Sequence, residues 1–328
     1  MLKMAVIGMG MGGSYGARIH ASKTARFVAM CDMNAERLAT RTKTYKEEIG
    51  AEPHPYTSVE EMLRNEKLDG VVISTPSATH HLVAEQVAAA GVHMLIDKPL
   101  DISSGNMDRI VAAVARNKVI CGVNYPQRCN SLLRGVKKAL DDGLLGKPLI
   151  CDVRLKGYRD QGYYDRGGWR GTWAMDGGGS LMNQGAHFMD VLCWFMGKPA
   201  NVMGAFAALD HRIETEDWAS GIVEFRNGAR ASLSTTTCVQ PKTDSNWIEV
   251  HGTKGSVFLK DGAVVSSSVP DIERLDPCPF EHPVEDFIDA VQKRRQPLVS
   301  IEQGRWSVDL INAVYNSARE GRRVTVQS

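Results

Sequence analysis

Two groups of polar residues set in apolar surroundings are equipped for chemistry. In the run Gly177-Gly178-Gly179-Ser180-Leu181-Met182-Asn183-Gln184-Gly185-Ala186-His187-Phe188-Met189-Asp190, residues Asn183, His187, Asp190 and, further on, Trp194 recur at i, i+4, i+7 and i+11. On a helix these stand one above another on a single face. The other faces carry Leu, Met, Phe, Val and Cys, so the stripe must find partners, because an unpaired buried polar group costs about 1 to 3 kcal/mol. A histidine with an ordinary pKa near ~6.5 takes up and returns protons close to neutrality. A core histidine satisfied by its neighbours would occupy the same position; three polar residues in register favour a site. The second group is Asp97-Lys98-Pro99, which cuts off the apolar run Met94-Leu95-Ile96. Lysines are seldom buried, so Lys98 either presents its cation to a ligand or leads from a strand end into water.

A third stretch binds rather than reacts. Met4-Ala5-Val6-Ile7 breaks into Gly8-Met9-Gly10-Met11-Gly12-Gly13, continues with helical spacing to about Ala21, and resumes as the apolar run Phe27 to Cys31, closed by Asp32. In a strand–turn–helix–strand unit Gly8 permits the tight turn, Gly10 lets the main chain approach a pyrophosphate, and Gly13 lets helix and strand pack closely. The helix start, with Met11 in its turn, offers N–H groups to the phosphates, and Asp32 accepts from an adenosine ribose. Arg37 begins the next helix, where it either lies against the adenine or is a solvated charge.

The elements that position these residues alternate. Apolar strands at Leu68 to Ser74, His93 to Asp97 and Val119 to Val123 alternate with helices at 79 to 90 and 103 to 116, the pattern of a doubly wound parallel sheet. Ser74-Thr75-Pro76 and His80 fall at the carboxyl end of such a sheet, where ligands bind, as do Asp97 and Lys98. Past Asn124 a helix at Ser131 to Asp142 leads into strands near Leu149 to Lys156, Val202 to Leu209, Trp218 to Phe225, Arg230 to Thr237, Asn246 to His251 and Ser256 to Lys260. Turns such as Arg226-Asn227-Gly228 join the later ones into hairpins. The fold class is therefore α/β, an N-terminal doubly wound parallel sheet over 1–123, followed over 124–328 by an α+β domain with a large, mostly antiparallel open sheet. Helices near Val284 to Arg295 and Ile301 to Glu320 close the chain. Strand 202–209 is apolar on both faces, so either a partner subunit or the last two helices must cover the second face.

Composition narrows the partners. With 39 Lys+Arg against 38 Asp+Glu in 328 residues and no basic tract, nothing supplies the field that nucleic acid or an anionic membrane requires. Seven scattered cysteines without a CxxC pair argue against a disulfide framework or a zinc site, and the expectation is no metal and a cytoplasmic protein. No apolar run reaches the ~18 residues of a membrane helix, and no targeting segment is evident.

Together the glycine turn, Ser74-Thr75-Pro76 with His80, Asp97-Lys98-Pro99 and the 177–190 segment resemble the glucose-fructose oxidoreductase / inositol dehydrogenase (Gfo/Idh/MocA) family across the whole chain. The resemblance implies a Rossmann domain holding NAD, a sugar, cyclitol or sugar-derivative substrate, and a homodimer or homotetramer built through the C-terminal sheet. The family tripeptide is usually Glu-Lys-Pro, and its helix usually carries Asp-x-x-x-His. Asn183-x-x-x-His187 is similar to relatives acting on nucleotide-linked sugars. An amide orients a hydroxyl but takes no proton, so the resemblance puts the proton on His187 and Lys98, with Asn183 beside them; replacing Asn183 by Asp is expected to be tolerated. Tyr163, Arg166 and Trp169, in a glycine-broken aromatic and basic loop, either hold the sugar or make a subunit contact. The leading expectation is a CH–OH dehydrogenase. Glycoside cleavage by transient oxidation is the alternative, and a nucleotide-sensing regulator is disfavoured by the retained Lys98 and His187.

Overall fold

The computed structural model describes residues 1–327. The chain begins β1 (Leu2–Ile7), α1 (Gly13–Ala21), β2 (Ala25–Cys31), α2 (Ala35–Ile49), β3 (His54–Tyr56), α3 (Val59–Asn65), β4 (Gly70–Ile73) and α4 (His80–Ala89). It continues β5 (His93–Asp97), α5 (Ser104–Asn117), β6 (Cys121–Asn124), α6 (Ser131–Asp141), β7 (Pro148–Lys156), α7 (Gln161–Asp165) and α8 (Ala186–Met196). Then come β8 (Pro199–Ala207), β9 (Trp218–Phe225), β10 (Arg230–Thr236), β11 (Ser245–Gly252), β12 (Ser256–Lys260), β13 (Ala263–Ser267), α9 (Pro283–Lys293), α10 (Ile301–Glu320) and β14 (Val324–Thr325). No helix among the described residues is long and apolar enough to cross a membrane.

Two compact units result. The first comprises Met1–Pro126 and Phe280–Gly304. Its six strands are all parallel in the order β3-β2-β1-β4-β5-β6, the doubly wound topology that the β-α alternation predicts. β1, β4 and β5 are apolar runs buried on both faces, as central parallel strands must be. Local chemistry starts the helices: the Asn34 side chain caps α2 by accepting from Arg37 N–H, and Ser58 caps α3 by accepting from Glu61 N–H. A division at residue 123 leaves 280–304 with the second domain, and here the packing departs from the sequence reading. Val284, Phe287, Ile288 and Val291 of α9 lie in one core with Met4, Val6, Met30 and Leu95. The amphipathic helix buries its apolar face against the first sheet, a contact that chain order does not reveal.

The second unit comprises Gln127–Pro279 and Arg305–Ser328, and its sheet runs β13-β12-β11-β7-β10-β9-β8-β14. All its pairings are antiparallel except β10 with β7. The sequence reading missed β3, β13 and β14, which are short or polar. On β8, Val202 is buried and Phe206 packs edge-on against Trp173 and Tyr315, while Met203 on the opposite face is 57% exposed beside Ile222 at 62%. Residues 180–196 are not one helix. Ser180–Gln184 forms a wider turn closed by Gly185 N–H on the Ser180 carbonyl at 2.8 Å, and α8 starts only at Ala186.

Candidate active site

In the first unit the glycine turn is shaped as a cradle. Gly8 has φ +94°, a left-handed conformation that favours glycine. At Gly10 an added Cβ would meet nothing within 4 Å, so the main chain there faces open space at the start of α1. That is the clearance a pyrophosphate needs, and the turn therefore fits a dinucleotide. Arg41 steadies the loop by donating from Nε to the Met9 carbonyl at 3.1 Å and from Nη2 to the Gly10 carbonyl at 3.1 Å. Met11 is 70% exposed beside this space. Asp32 accepts from Met9 N–H at 2.8 Å and Asn34 N–H at 2.9 Å, which fixes its carboxylate at the end of β2. The exposed Arg37 is ion-paired, its Nη1 lying 3.2 and 3.0 Å from the two Asp32 oxygens.

The ends of β4, β5 and β6 meet at Asp97. Its carboxylate accepts from Tyr15 Oη at 2.9 Å, Ser74 Oγ at 2.9 Å, Asn124 Nδ2 at 3.1 Å and the Lys98 N–H at 3.0 Å. Asn124 stands opposite Asp97 in the β5–β6 register and also donates to Tyr15 Oη at 2.8 Å. Burial, with the Asp97 charge next, pushes the Tyr15 phenol far above its ordinary range, so it is a fixed donor. Asp97 thus organises the loop that carries the half-buried Lys98 rather than simply facing a ligand. His80 is likewise a brace, its ring nitrogens 2.9 Å from the carbonyls of Pro99 and Thr75, while the Thr75 hydroxyl accepts from Thr79 Oγ1 at 2.9 Å. The Lys98–Pro99 peptide bond is cis, and Pro76 precedes the short turn that opens α4.

In the second unit the polar stripe divides. Asp190 is fully buried and receives Arg128 bidentately, Nε to Oδ2 at 2.7 Å and Nη2 to Oδ1 at 2.8 Å, and the same guanidinium lies 4.4 Å over the Trp194 ring. Those two members of the stripe are spent on structure. Asn183 sits on the turn, where its Nδ2 donates to Asp176 Oδ1 at 2.8 Å and its Oδ1 accepts from Gln184 Nε2 at 3.1 Å. A carboxylate at position 183 would face the buried Asp176 carboxylate, which reverses the expectation that Asp would be tolerated there. Tyr163 joins this group, its hydroxyl accepting from Gln184 Nε2 at 3.0 Å and its ring between Arg159 at 5.4 Å and Arg170 at 4.9 Å. Arg166 bonds the Gly162 carbonyl and Trp169 lies under Arg170, so both are engaged within their own loop.

His187 opens α8 and lines a cavity of about 340 Å³ together with Phe188, Trp247, Gln127, Asn130 and Asn246. A cavity of this size, aromatic at its walls and amide-bearing, suits a small hydroxylated ring. Beneath the Asn183 turn, Glu216 is fully buried and accepts from Ser180 N–H at 2.6 Å, Leu181 N–H at 3.0 Å and Tyr315 Oη. Burial pushes its carboxyl up to about 7 against the pull of those donors. Sequence reasoning missed Tyr15, Asn124, Asp176, Glu216 and Tyr315. Only Asn124, at a strand end beside Asp97, carried a signal that register alone could have supplied. His211, Asp217 and Cys238 also lie together, but Asp217 accepts from the Leu209, Asp210 and His211 N–H groups and secures that loop.

Comparison with known proteins agrees with both halves. Residues 2–125 match the oxidoreductase family's NAD-binding Rossmann fold, and residues 133–258 match the GFO/IDH/MocA C-terminal domain. The WlbA dehydrogenase of Bordetella pertussis, solved with NADH and UDP-GlcNAcA, is 30% identical with a TM-score of 0.89, the match covering 100% of this chain and 99% of that one. The 1,5-anhydro-D-fructose reductase of Ensifer adhaerens is 27% identical over 92% of this chain and 91% of its own. A scyllo-inositol 2-dehydrogenase (NAD(+)) of Bacillus subtilis is 25% identical, covering 98% of this chain and 96% of its own.

Proposed function

The chain belongs to the GFO/IDH/MocA oxidoreductase family, and from that premise we propose that it is an NAD-dependent dehydrogenase oxidising a secondary alcohol on a nucleotide-linked sugar. The observation that carries this reading is His187 lining an aromatic and amide-bearing cavity, with the amide of Asn183 four residues earlier on the turn that leads into α8. The relative at 30% identity, which holds a UDP sugar acid together with NADH, supports the same class. The glycine turn and Asp32 would hold the cofactor. When bound, the nicotinamide accepts the hydride of the CH–OH carbon. His187 takes the hydroxyl proton, Lys98 donates a hydrogen bond to the developing carbonyl oxygen, and Asn183 orients a neighbouring hydroxyl. Tyr163, held next to Asn183, contributes to substrate binding. The test is NADH formation from a panel of UDP-linked sugars, free sugars and cyclitols. The highest kcat/KM is expected within the UDP-linked set, and a cyclitol turned over better than every nucleotide sugar would refute that class. Product formed without net NADH would instead indicate glycoside cleavage by transient oxidation.

We also propose that the outer face of the second sheet, where Met203 and Ile222 stand side by side, is covered by a second copy of the chain in a homodimer or homotetramer. Sedimentation equilibrium at micromolar concentration decides, and a monomer of 36.0 kDa refutes it.

A further inference from the structure

The 177–190 segment has its own anchor, distant in sequence. Tyr315, on α10, is 2% exposed and is packed edge-on by Trp173 at 5.1 Å and Phe206 at 5.4 Å, so its hydroxyl has a fixed position. That hydroxyl donates to Glu216 Oε1, the oxygen that also accepts from Leu181 N–H, while Oε2 accepts from Ser180 N–H. The Glu216 main chain takes part as well, its carbonyl accepting from Ser180 N–H at 3.0 Å. The glycines before the turn are cut to this contact. A Cβ on Gly178 would lie 2.2 Å from Tyr315 Oη, and one on Gly179 would lie 1.8 Å from the Glu216 carbonyl oxygen. Asn183 lies only two residues beyond Leu181, and its N–H closes the turn on the Gly179 carbonyl at 3.0 Å. Displacing Ser180 and Leu181 therefore displaces Asn183 and the start of α8, which carries His187. A shift of an ångström in such groups is large on the scale that catalysis tolerates.

We infer that Glu216 and Tyr315 are positioning residues, a buried acid–phenol pair that grips the main chain at Ser180 and Leu181 and thereby sets where Asn183 and His187 stand. Their relevance to turnover rests on the dehydrogenase reading above, but the grip itself is a property of this chain and is measurable without a substrate.

The experiment is hydrogen exchange, read by mass spectrometry on peptides of the full chain, for wild type, Tyr315→Phe and Glu216→Gln. The His187 ring resonances are followed in parallel and assigned by their loss in His187→Gln. In Tyr315→Phe, exchange across 177–187 is expected to rise about tenfold or more, with peptides of the glycine turn at 8–13 unchanged, because a buried acceptor has lost one donor and the local opening becomes easier. The His187 resonances and their pH midpoint are expected to move with it, which loss of remote packing alone would not produce. NADH binding, followed by its fluorescence, should match wild type. Unchanged exchange over 177–187 in Tyr315→Phe overturns the inference, as does a uniform rise through the second unit with the His187 resonances unmoved. Should Glu216→Gln fail to fold, Tyr315→Phe alone decides. Since neither readout uses a sugar, failure of the substrate panel leaves this result intact, and the reverse also holds.

Discussion

The two glycine-rich segments put one residue type to opposite uses. At Gly10 an added side chain would meet no atom within 4 Å, whereas at Gly179 it would strike the Glu216 carbonyl oxygen at 1.8 Å. The first glycine leaves open the space that the proposed cofactor's pyrophosphate would take. The second has its space filled by the protein's own carboxyl and phenol groups. A glycine run is thus ambiguous on its face between a ligand cradle and a packing contact, and what settles it is the group standing opposite. In the first unit no described residue stands within 4 Å of that position; in the second the group is supplied from beyond residue 210.

The sharpest way to break this comparison is to add a methyl group to each. Gly179→Ala is expected to cost about 3 kcal/mol or more, because backbone rather than a flexible side chain must give way. Gly10→Ala should leave the melting temperature nearly unchanged while weakening NADH binding about tenfold or more, since the pyrophosphate loses its close approach. Thermal melts and NADH titrations of both variants check this; equal loss of stability in the two would erase the distinction.

Next in size are the two groups proposed to react, Lys98 and His187. Lys98→Ala and His187→Ala are each expected to lower kcat at least ~10²-fold with the fold and NADH affinity retained, the usual scale of a general acid–base contribution. Asn183→Asp is expected to lower turnover as well, because it sets two carboxylates together at Asp176. Near wild-type kcat in Lys98→Ala would place the chemistry elsewhere.

Cofactor choice sharpens the comparison on the cradle's side. Asp32 would face a 2′-phosphate with like charge, so kcat/KM should favour NAD over NADP by about tenfold or more, and Asp32→Ala should erode that ratio. The ion pair with Arg37 tempers the effect, since an exposed guanidinium able to swing away from Asp32 is also a phosphate ligand. Arg37→Ala is accordingly expected to widen the preference, and steady-state kinetics with both cofactors reads it.

Smallest is a pH effect confined to the first unit. His282 caps α9 by accepting from Val284 N–H at 3.2 Å, lies 5.7 Å from the Tyr15 ring, and is held down to about 4, first by burial and then by Arg18. Because the folded value lies below the ordinary 6.5, the unfolded chain binds the proton first as pH falls. Stability from this group is complete above about pH 6.5 and drains away towards pH 4. His282→Asn, which caps without titrating, should flatten that part of the melting-temperature profile.

Most of the first sheet was legible because its strands end in punctuation: Gly8, Asp32, Pro76 and Pro99 stop four of the six, and the candidate ligand-facing residues follow directly, whereas the three-residue β3 offers no apolar run to read. The polar stripe from Asn183 to Trp194 was legible as a stripe but not as four separate fates, since helical spacing says nothing of Arg128, which claims Asp190 and Trp194 from some sixty residues upstream. The wider turn at Ser180–Gln184 escaped because a helix with one extra residue per turn differs from a regular one by a single hydrogen bond. Glu216 and Tyr315 were silent for a deeper reason. Their partners are largely main-chain N–H groups, which every residue but proline possesses, so the only trace they leave in sequence is the glycines that make room for them.

The two-residue β14 has a bearing on handling the protein. Val326 N–H bonds the Ala200 carbonyl at 2.9 Å, and Val324 and Thr325 pair with Val202 and Asn201, so the outer rim of the eight-stranded sheet is closed by the final few residues. Trimming by a protease at Arg322 or Arg323 would strip that closure and leave β8 with a row of unanswered main-chain donors and acceptors beside the exposed Met203. Such a rim recruits strands from other molecules. Preparations nicked there should precipitate on storage while intact chains stay in solution.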